Sequence, residues 1–365
     1  MSKIYVVPIE KISTRYTTEW YNHIPKLLDN KGADVVVIEG DDVPPTASPG
    51  AFLDFGATNI FKSSQIMTIA QLFRNGVIQP GDTFLYTDAW NPTVIQLKYL
   101  SELMSIPCII HGMWHAGSYD NADFLGRLVG DKPWIRHAEQ SMMHCYDYNW
   151  FATRFHAGIF GKEILDIRNI FFDDDAEAAM AENPSIKLTG WPMEYLTETL
   201  ESYNKLTKKS QIVFPHRIAP EKQVEIFRDL AQSMPEYSWV VCQDQPLTKH
   251  EYHTILGESM IVFSASLQET LGISSGAEGP LCNTLPLSPD RLSYSELFQG
   301  FDEFLYPSNW AINWEKYQQH KPFIINKIRS MMNDYYKLLP LLQKYNNCQI
   351  PKYFTATPLI TELTK

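Results

Sequence analysis

Two segments of the chain gather the residue types that hold an anion. In "IVFPHRIAPEK" (212–222), an apolar stretch at 212–214 runs into His216 and Arg217, and Lys222 opens the next helical stretch. Cationic groups therefore collect where a strand is expected to end, which is where open α/β sheets hold their ligands. Arg217 offers a planar fork and Lys222 a compact point charge. The second segment follows another apolar stretch at 260–263 with Glu269, Thr270, Leu271 and Gly272, then the small residues Ser274, Ser275, Gly276 and Ala277, then Glu278. Small residues let a helix N-terminus and its free amides come close to negative charge.

The first half of the chain carries a different chemistry. "CIIHGMWHAGSYDNADFLGR" (108–127) places His111, Trp114, His115, Tyr119 and Asp120 after an apolar strand, and "YTDAWNP" (86–92) places Asp88, Trp90 and Asn91 at the end of another. At strand ends these groups face a cleft, and His115 and Asp120 are suited to orient or deprotonate a hydroxyl. The alternative is a packed aromatic loop with hydrogen-bonded histidines. Lys62, in the turn-rich "FLDFGATNIFKSSQ" (52–65), is expected to be exposed, with contact to an anionic acceptor as the second reading. Trp114, Tyr119, Trp134, Tyr148 and Trp150 supply surfaces for stacking on a base or a sugar ring, or else core. Asp173, Asp174 and Asp175 invite a metal, but they lead into "AEAAMAEN", where N-capping and the helix dipole account for them. No metal site is expected.

The elements that must position these groups alternate. "KIYVVPI", "ADVVVIEG", "DTFLYTD" and "IPCIIHG" read as buried strands, with helical periodicity over 17–28, 63–74 and 94–104 between them. "SQIVFPH", "YSWVVCQ" and "SMIVFSA" repeat the scheme after a crossing at 189–193, so the fold class is α/β with parallel βαβ units. At 365 residues the chain exceeds the ~150 of a typical domain, which implies two. The domains expected are 1–190, on the acceptor side, and 191–310, on the nucleotide side, followed by helices over 311–365, broken at Pro322, that pack back on the first domain.

Composition excludes several classes. A hydrophobic share of 44% with 20% charged residues is that of a globular chain. No apolar run approaches the ~20 residues of a bilayer span, and "MSKIYVVPIEK" reads as a first strand rather than a signal peptide, so a cytoplasmic protein without membrane partner is expected. Cys108, Cys145, Cys242, Cys282 and Cys348 are odd in number and widely spaced, as buried reduced thiols are. The net charge of −11 argues against a surface that binds nucleic acid as a whole, while leaving room for a local basic groove or a positive pocket for a phosphate. Neither a Gly-x-Gly-x-x-Gly after the first strand nor a Walker-type run is present, which weakens a dinucleotide or P-loop reading.

The pattern resembles the nucleotide-binding half of retaining glycosyltransferases built from two facing Rossmann-like domains, the GT-B architecture. Within it, the C-terminal third is similar to the tRNA-queuosine mannosyltransferases, which carry a strand-Pro-His-Arg turn (here 214–217), a Glu-x-x-Gly-[Ile/Val] element (269–273) and a Pro-x-Arg-Leu-x-Tyr-x-Glu stretch (289–296). Here one residue more than that family's usual spacing separates Glu269 from Glu278. The resemblance implies a nucleotide-sugar donor, UDP-linked, with no further cofactor, and transfer with retention. It places Arg217 and Lys222, beside His216, on the departing diphosphate. Glu269 and the amides of 270–272 would meet the donor sugar and distal phosphate, and Glu278 the ribose hydroxyls. "FGATNIFKSSQ", "YTDAWNP" and "MWHAGSYDNADFLGR" in turn resemble glycosyltransferases of T4-like bacteriophages, which implies hydroxymethylated pyrimidine in DNA, such as hydroxymethylcytosine, as acceptor, and the host cytoplasm as location. Transfer to tRNA or a glycan, and a catalytically silent nucleotide-sugar-binding protein, are the alternatives.

One expectation is testable directly: transfer from a nucleotide sugar should survive excess chelator. Loss on chelation with recovery on adding Mn²⁺ would return Asp173–Asp175 to the role of ligands.

Overall fold

A computed structural model describes residues 2–12, 15–41, 54–130, 132–167 and 174–365. The chain divides into two compact units, one of Met1–Pro192 with Ala356–Lys365 and one of Met193–Thr355.

The first unit is a parallel sheet of β1 (Lys3–Val7), β2 (Asp34–Val37), β3 (Thr83–Tyr86), β4 (Ile109–Met113), β5 (Tyr148–Phe151) and β6 (Ile186–Leu188), in the order β2-β1-β3-β4-β5-β6. Its strands β3 and β5 are almost wholly buried, as near-continuous apolar runs require when helices cover both faces. The second unit has β7 (Gln211–Phe214), β8 (Ser238–Val241), β9 (Ile261–Phe263), β10 (Leu285–Asp290) and β11 (Leu305–Pro307), all parallel, in the order β8-β7-β9-β10-β11. Both sheets thus start in the middle, step to one side and then build out on the other. The reversal leaves a crevice at the carboxyl ends of β1 and β3 in one unit and of β7 and β9 in the other.

Three local expectations change. The turn-rich segment before residue 63 is helical: Phe55–Arg74 is continuous, because Asp54 caps it by accepting from Ala57 N at 2.7 Å and Asn59 donates back to Phe55 O at 2.7 Å. Pro322 does not break the last long helix, Trp314–Asn333. The carbonyl four residues back, which Pro322 cannot pair, belongs to Gln318, an exposed residue. The return of 311–365 to the first unit is narrower than expected. Helices Trp314–Asn333, Tyr335–Cys348 and Ile350–Tyr353 belong to the second unit, and only Thr357–Leu363 belongs to the first.

The first unit's core also absorbs residues that the sequence offers as stacking surfaces. Trp114 is 0% and Tyr119 2% exposed, packed with Tyr146, Phe151 and Phe160. Trp134 stays 56% exposed. Trp114→Ala should therefore cost about 3–5 kcal/mol of unfolding free energy, and Trp134→Ala under about 0.5 kcal/mol. Denaturant melts of the two variants compare them, and equal losses would contradict this division of core and surface.

Candidate functional site

In the second unit, the loops after β7 and β9 are pinned to one another across the strand-order reversal. Pro220–Lys222 forms a tight turn, and Gln223 adopts a left-handed conformation with φ 53°. That turn lets Gln223 donate to Ala265 O at 2.6 Å and Ala311 O at 2.8 Å, while Leu267 N donates to Glu221 O at 2.7 Å. Arg291, from the 289–296 stretch, completes the scaffold by donating to the carbonyls of Ala265, Ser266, Ser308 and Ala311. Arg291 is thus architectural.

On this scaffold His216, Arg217, Lys222 and Glu269 come together. Lys222 is buried, donates to Gln268 O and lies 3.2 Å from Glu269 Oε2. Burial alone would raise the Glu269 carboxyl, but Lys222 and the amide of Gly272 hold it below the usual carboxylate range. Gly272 sits at φ +74°, and a Cβ there would lie 2.8 Å from the Tyr294 ring, so glycine is required for that amide to turn onto Glu269. Leu271 is buried, so the segment contributes backbone rather than that side chain. Arg217 pairs with Glu221. Both cations are thus already met by carboxylates, and an anionic ligand would have to compete with or extend those pairs. His216 donates one ring N–H to Phe263 O, and burial, foremost, takes its pKa down to about 3. Its Nε2 is buried and unpartnered among the described residues, which leaves a neutral ring with an acceptor lone pair.

Glu278 lies at the far side of a π turn, Ser274–Glu278, in which Gly279 N–H reaches Ser274 O five residues back. A π turn encloses one residue more than an α turn. The Tyr252 hydroxyl donates to Glu278 Oε2 at 2.7 Å, with Ser274 Oγ 3.2 Å away, and His253 Nε2 stands 3.7 Å from Oε1. Tyr252 gave no signal in the sequence, since its helix, capped by Thr248 and Glu251, looks ordinary.

In the first unit the expected acceptor-side residues are more deeply committed to structure. The Thr87 carbonyl can only accept, so His115 Nε2, 2.6 Å away, carries the proton and Nδ1 accepts from Tyr16 hydroxyl at 2.7 Å. His115 is therefore no open base, and burial lowers its pKa. Asp120 accepts from Ala122 N at 2.9 Å and shapes its own turn. His111 accepts from the Trp150 indole at 3.1 Å and stacks on Tyr148 within the sheet. Asn91 accepts from Thr93 N at the start of the next helix, at 3.1 Å. Trp114 donates to Asn149 Oδ1 at 2.8 Å, and the Tyr119 hydroxyl lies 2.6 Å from His156 Nε2. Lys62, expected exposed, is buried, lies 3.4 Å from Asp88 Oδ2 and donates to Trp90 O at 2.7 Å. Trp90 donates its indole to Glu139 Oε1 at 3.0 Å. Glu139, missed in the sequence, also accepts from Ser118 N and Oγ, at 2.7 Å each, and so fixes both strand-end loops.

Asp174 is the N-cap of Asp175–Glu182, accepting from Ala176 N at 2.7 Å, and Asp173 lies outside the described residues. Among the described residues no group of three His, Cys, Asp or Glu is placed to hold a metal, and no helix is long and apolar enough to cross a membrane.

Buried neutral histidines set the acid response. His111, His156 and His216 are each held down to about 3 by burial. The unfolded state, with histidines near 6.5, takes up protons that the folded state refuses, so stability is full above about pH 6.5 and is lost as pH falls towards 3. Each group adds up to about 1.4 kcal/mol per pH unit in that window. Unfolding midpoints measured from pH 7 to 4 should fall, and less steeply in His216→Gln; a flat profile would contradict neutral burial.

No family model and no curated protein matches the sequence. Solved structures do match over the whole chain. Sucrose-phosphate synthase from Thermosynechococcus elongatus aligns with TM-score 0.60 at 10% identity, covering 100% of this chain and 97% of that one. Anabaena HepE in complex with UDP and glucose gives 0.57 at 11% identity, with coverage of 99% and 98%. An α,α-trehalose-phosphate synthase (UDP-forming) from Burkholderia vietnamiensis gives 0.56 at 11%, with coverage of 100% and 98%. The two parallel-sheet α/β units have the GT-B fold.

Proposed function

We propose that this chain is a glycosyltransferase that moves a sugar from a UDP-linked donor onto a hydroxyl, with retention and without a further cofactor. The observation that carries this reading is the cluster of His216, Arg217, Lys222 and Glu269 at the β7/β9 reversal, with Glu278 held by Tyr252 beyond the π turn. In the reaction the bond from the anomeric carbon to the diphosphate oxygen breaks and its electron pair leaves with the diphosphate. Arg217 and Lys222 stabilise that charge, and their carboxylate partners keep them placed beforehand, so little reorganisation is needed. Glu269 faces the donor sugar, and Glu278, acceptor-only when ionised, takes hydrogen bonds from the ribose hydroxyls. The GT-B likeness to a structure holding UDP and glucose supports a donor of this kind.

For the acceptor, the first-unit phrases favour a hydroxymethylated pyrimidine in DNA. Burial of Trp114 and Tyr119 removes them as stacking partners for an extruded base. The net charge of −11 limits phosphate contacts to a local patch, so a salt slope on the order of −2 to −4 is expected.

Labelled UDP-sugars offered with hydroxymethylated DNA, plain DNA, tRNA and a glycan decide the matter. Labelling of the hydroxymethylated DNA alone supports the full reading, labelling of tRNA or glycan replaces the acceptor, and UDP binding without transfer or hydrolysis leaves a silent binder. Arg217→Ala should cost roughly 2–4 kcal/mol in transition-state stabilisation. Glu278→Ala should raise the donor KM more than it lowers kcat, since ribose contacts act equally in ground and transition states. Wild-type turnover in the first variant, or unchanged donor affinity in the second, would remove that residue from the site.

A further inference from the structure

The second unit also holds an open cavity of about 390 Å³ whose lining has no part in the functions assigned above. That volume lies within the range of small-molecule sites. Its walls include Glu201 and Asn204, which follow the helix Tyr195–Leu200, and Asn283, which precedes β10. Gln343, Asn346 and Asn347 complete it from the helix Tyr335–Cys348. These three lie three and four positions apart, so one face of that helix carries all three amides. Because β10 runs parallel to β9, Asn283 stands at the amino edge of the sheet, whereas Lys222 and Glu269 follow the carboxyl ends of β7 and β9. The cavity is therefore apart from the donor cluster. Two of its amides are fixed by the protein. The Tyr335 hydroxyl donates to Asn283 O at 2.6 Å and Asn283 Nδ2 to Asn204 O at 3.1 Å, with Asn283 in a left-handed conformation at φ 58° that asparagine tolerates. Asn346 Nδ2 donates to Pro280 O at 3.0 Å, while its Oδ1 receives no hydrogen bond among the described residues. Gln343 and Asn347 are exposed at the rim, where a ligand from solvent reaches them directly.

We propose that this cavity is a second ligand site, one that binds a neutral saccharide through its amides. An amide offers donors and an acceptor side by side, and a sugar hydroxyl both donates and accepts, so neighbouring amides match neighbouring hydroxyls. Among the described residues no cation lines the cavity, and its one charged lining residue, Glu201, is paired with Lys205 at 2.8 Å. A phosphate therefore finds no charge to hold it. No aromatic ring lines the cavity either, so a nucleobase has no surface on which to stack. An uncharged ligand rich in hydroxyls is the class that the lining fits. Asn283 and Asn346, held by the protein, set its orientation, and Gln343 and Asn347 meet it from the rim. This site is independent of the glycosyl-transfer reading.

The test uses the full chain with glucose, galactose, mannose and N-acetylglucosamine as probes, and needs no transferase activity. Saturation-transfer NMR should show transfer from the wild type to at least one of them. For that sugar, the titration midpoint should rise about tenfold or more in the double variant Gln343→Ala, Asn347→Ala, which removes two amides. Its melting temperature should stay at the wild-type value, because both side chains are exposed. Asn346→Leu removes a third amide at similar size and should weaken binding likewise; the double variant covers the case in which it does not fold. Glu269→Gln, in the donor cluster, should leave the midpoint where it is. Transfer to none of the four sugars, or a wild-type midpoint in the folded double variant, overturns the assignment. So does a shift in Glu269→Gln as large as that in the double variant, which would put the sugar in the donor cluster. Uridine or inorganic phosphate bound more tightly than the sugars, and released in the double variant, would overturn the ligand class.

Discussion

Lys222 carries a positive charge into a place where water has little access, and the second unit is arranged around neutralising it. A buried ammonium requires a counter-charge and acceptors for its protons, and breaking such a pair from one side costs about 3–5 kcal/mol. Glu269 supplies the charge and Gln268 O an acceptor, both from the loop after β9. For those groups to reach Lys222, the loop after β7 must turn back on itself. It does so through the left-handed Gln223, whose amide then locks onto Ala265 and Ala311. Gly272 and Arg291 belong to the same requirement. The first frees an amide for Glu269, and the second holds the carbonyls that line the turn.

This has a consequence for chemistry. A site with bare cations would bind any anion, whereas one in which Arg217 and Lys222 already rest on Glu221 and Glu269 selects for a ligand that repays the displaced contacts. On the proposed function, a diphosphate joined to a sugar and a ribose would do so, its hydroxyls engaging Glu269 and Glu278 as its phosphates engage the cations. The π turn ends at Glu278, which the Tyr252 hydroxyl holds by a hydrogen bond.

The first unit handles its polar groups differently. Glu139, 0% exposed, is satisfied by Trp90 and Ser118, and Lys62 by Asp88 and Trp90, so the strand-end loops are closed, rigid networks.

The sequence by itself determined what depends on neighbours along the chain. Strand and helix alternation follows from periodicity, and the parallel sheets follow from the alternation. The positions of His216, Arg217 and Lys222 just after β7, and of Glu269 just after β9, follow from where the apolar runs stop. Tertiary structure alone decided which of these groups meet and which are spent. Lys222 and Glu269 are 47 positions apart, and Trp90 and Glu139 are 49 apart. No local pattern records such pairs, because burial and hydrogen-bond satisfaction are set by packing between elements. The same reason removes Trp114, Tyr119 and His111 into the core and closes both nitrogens of His115.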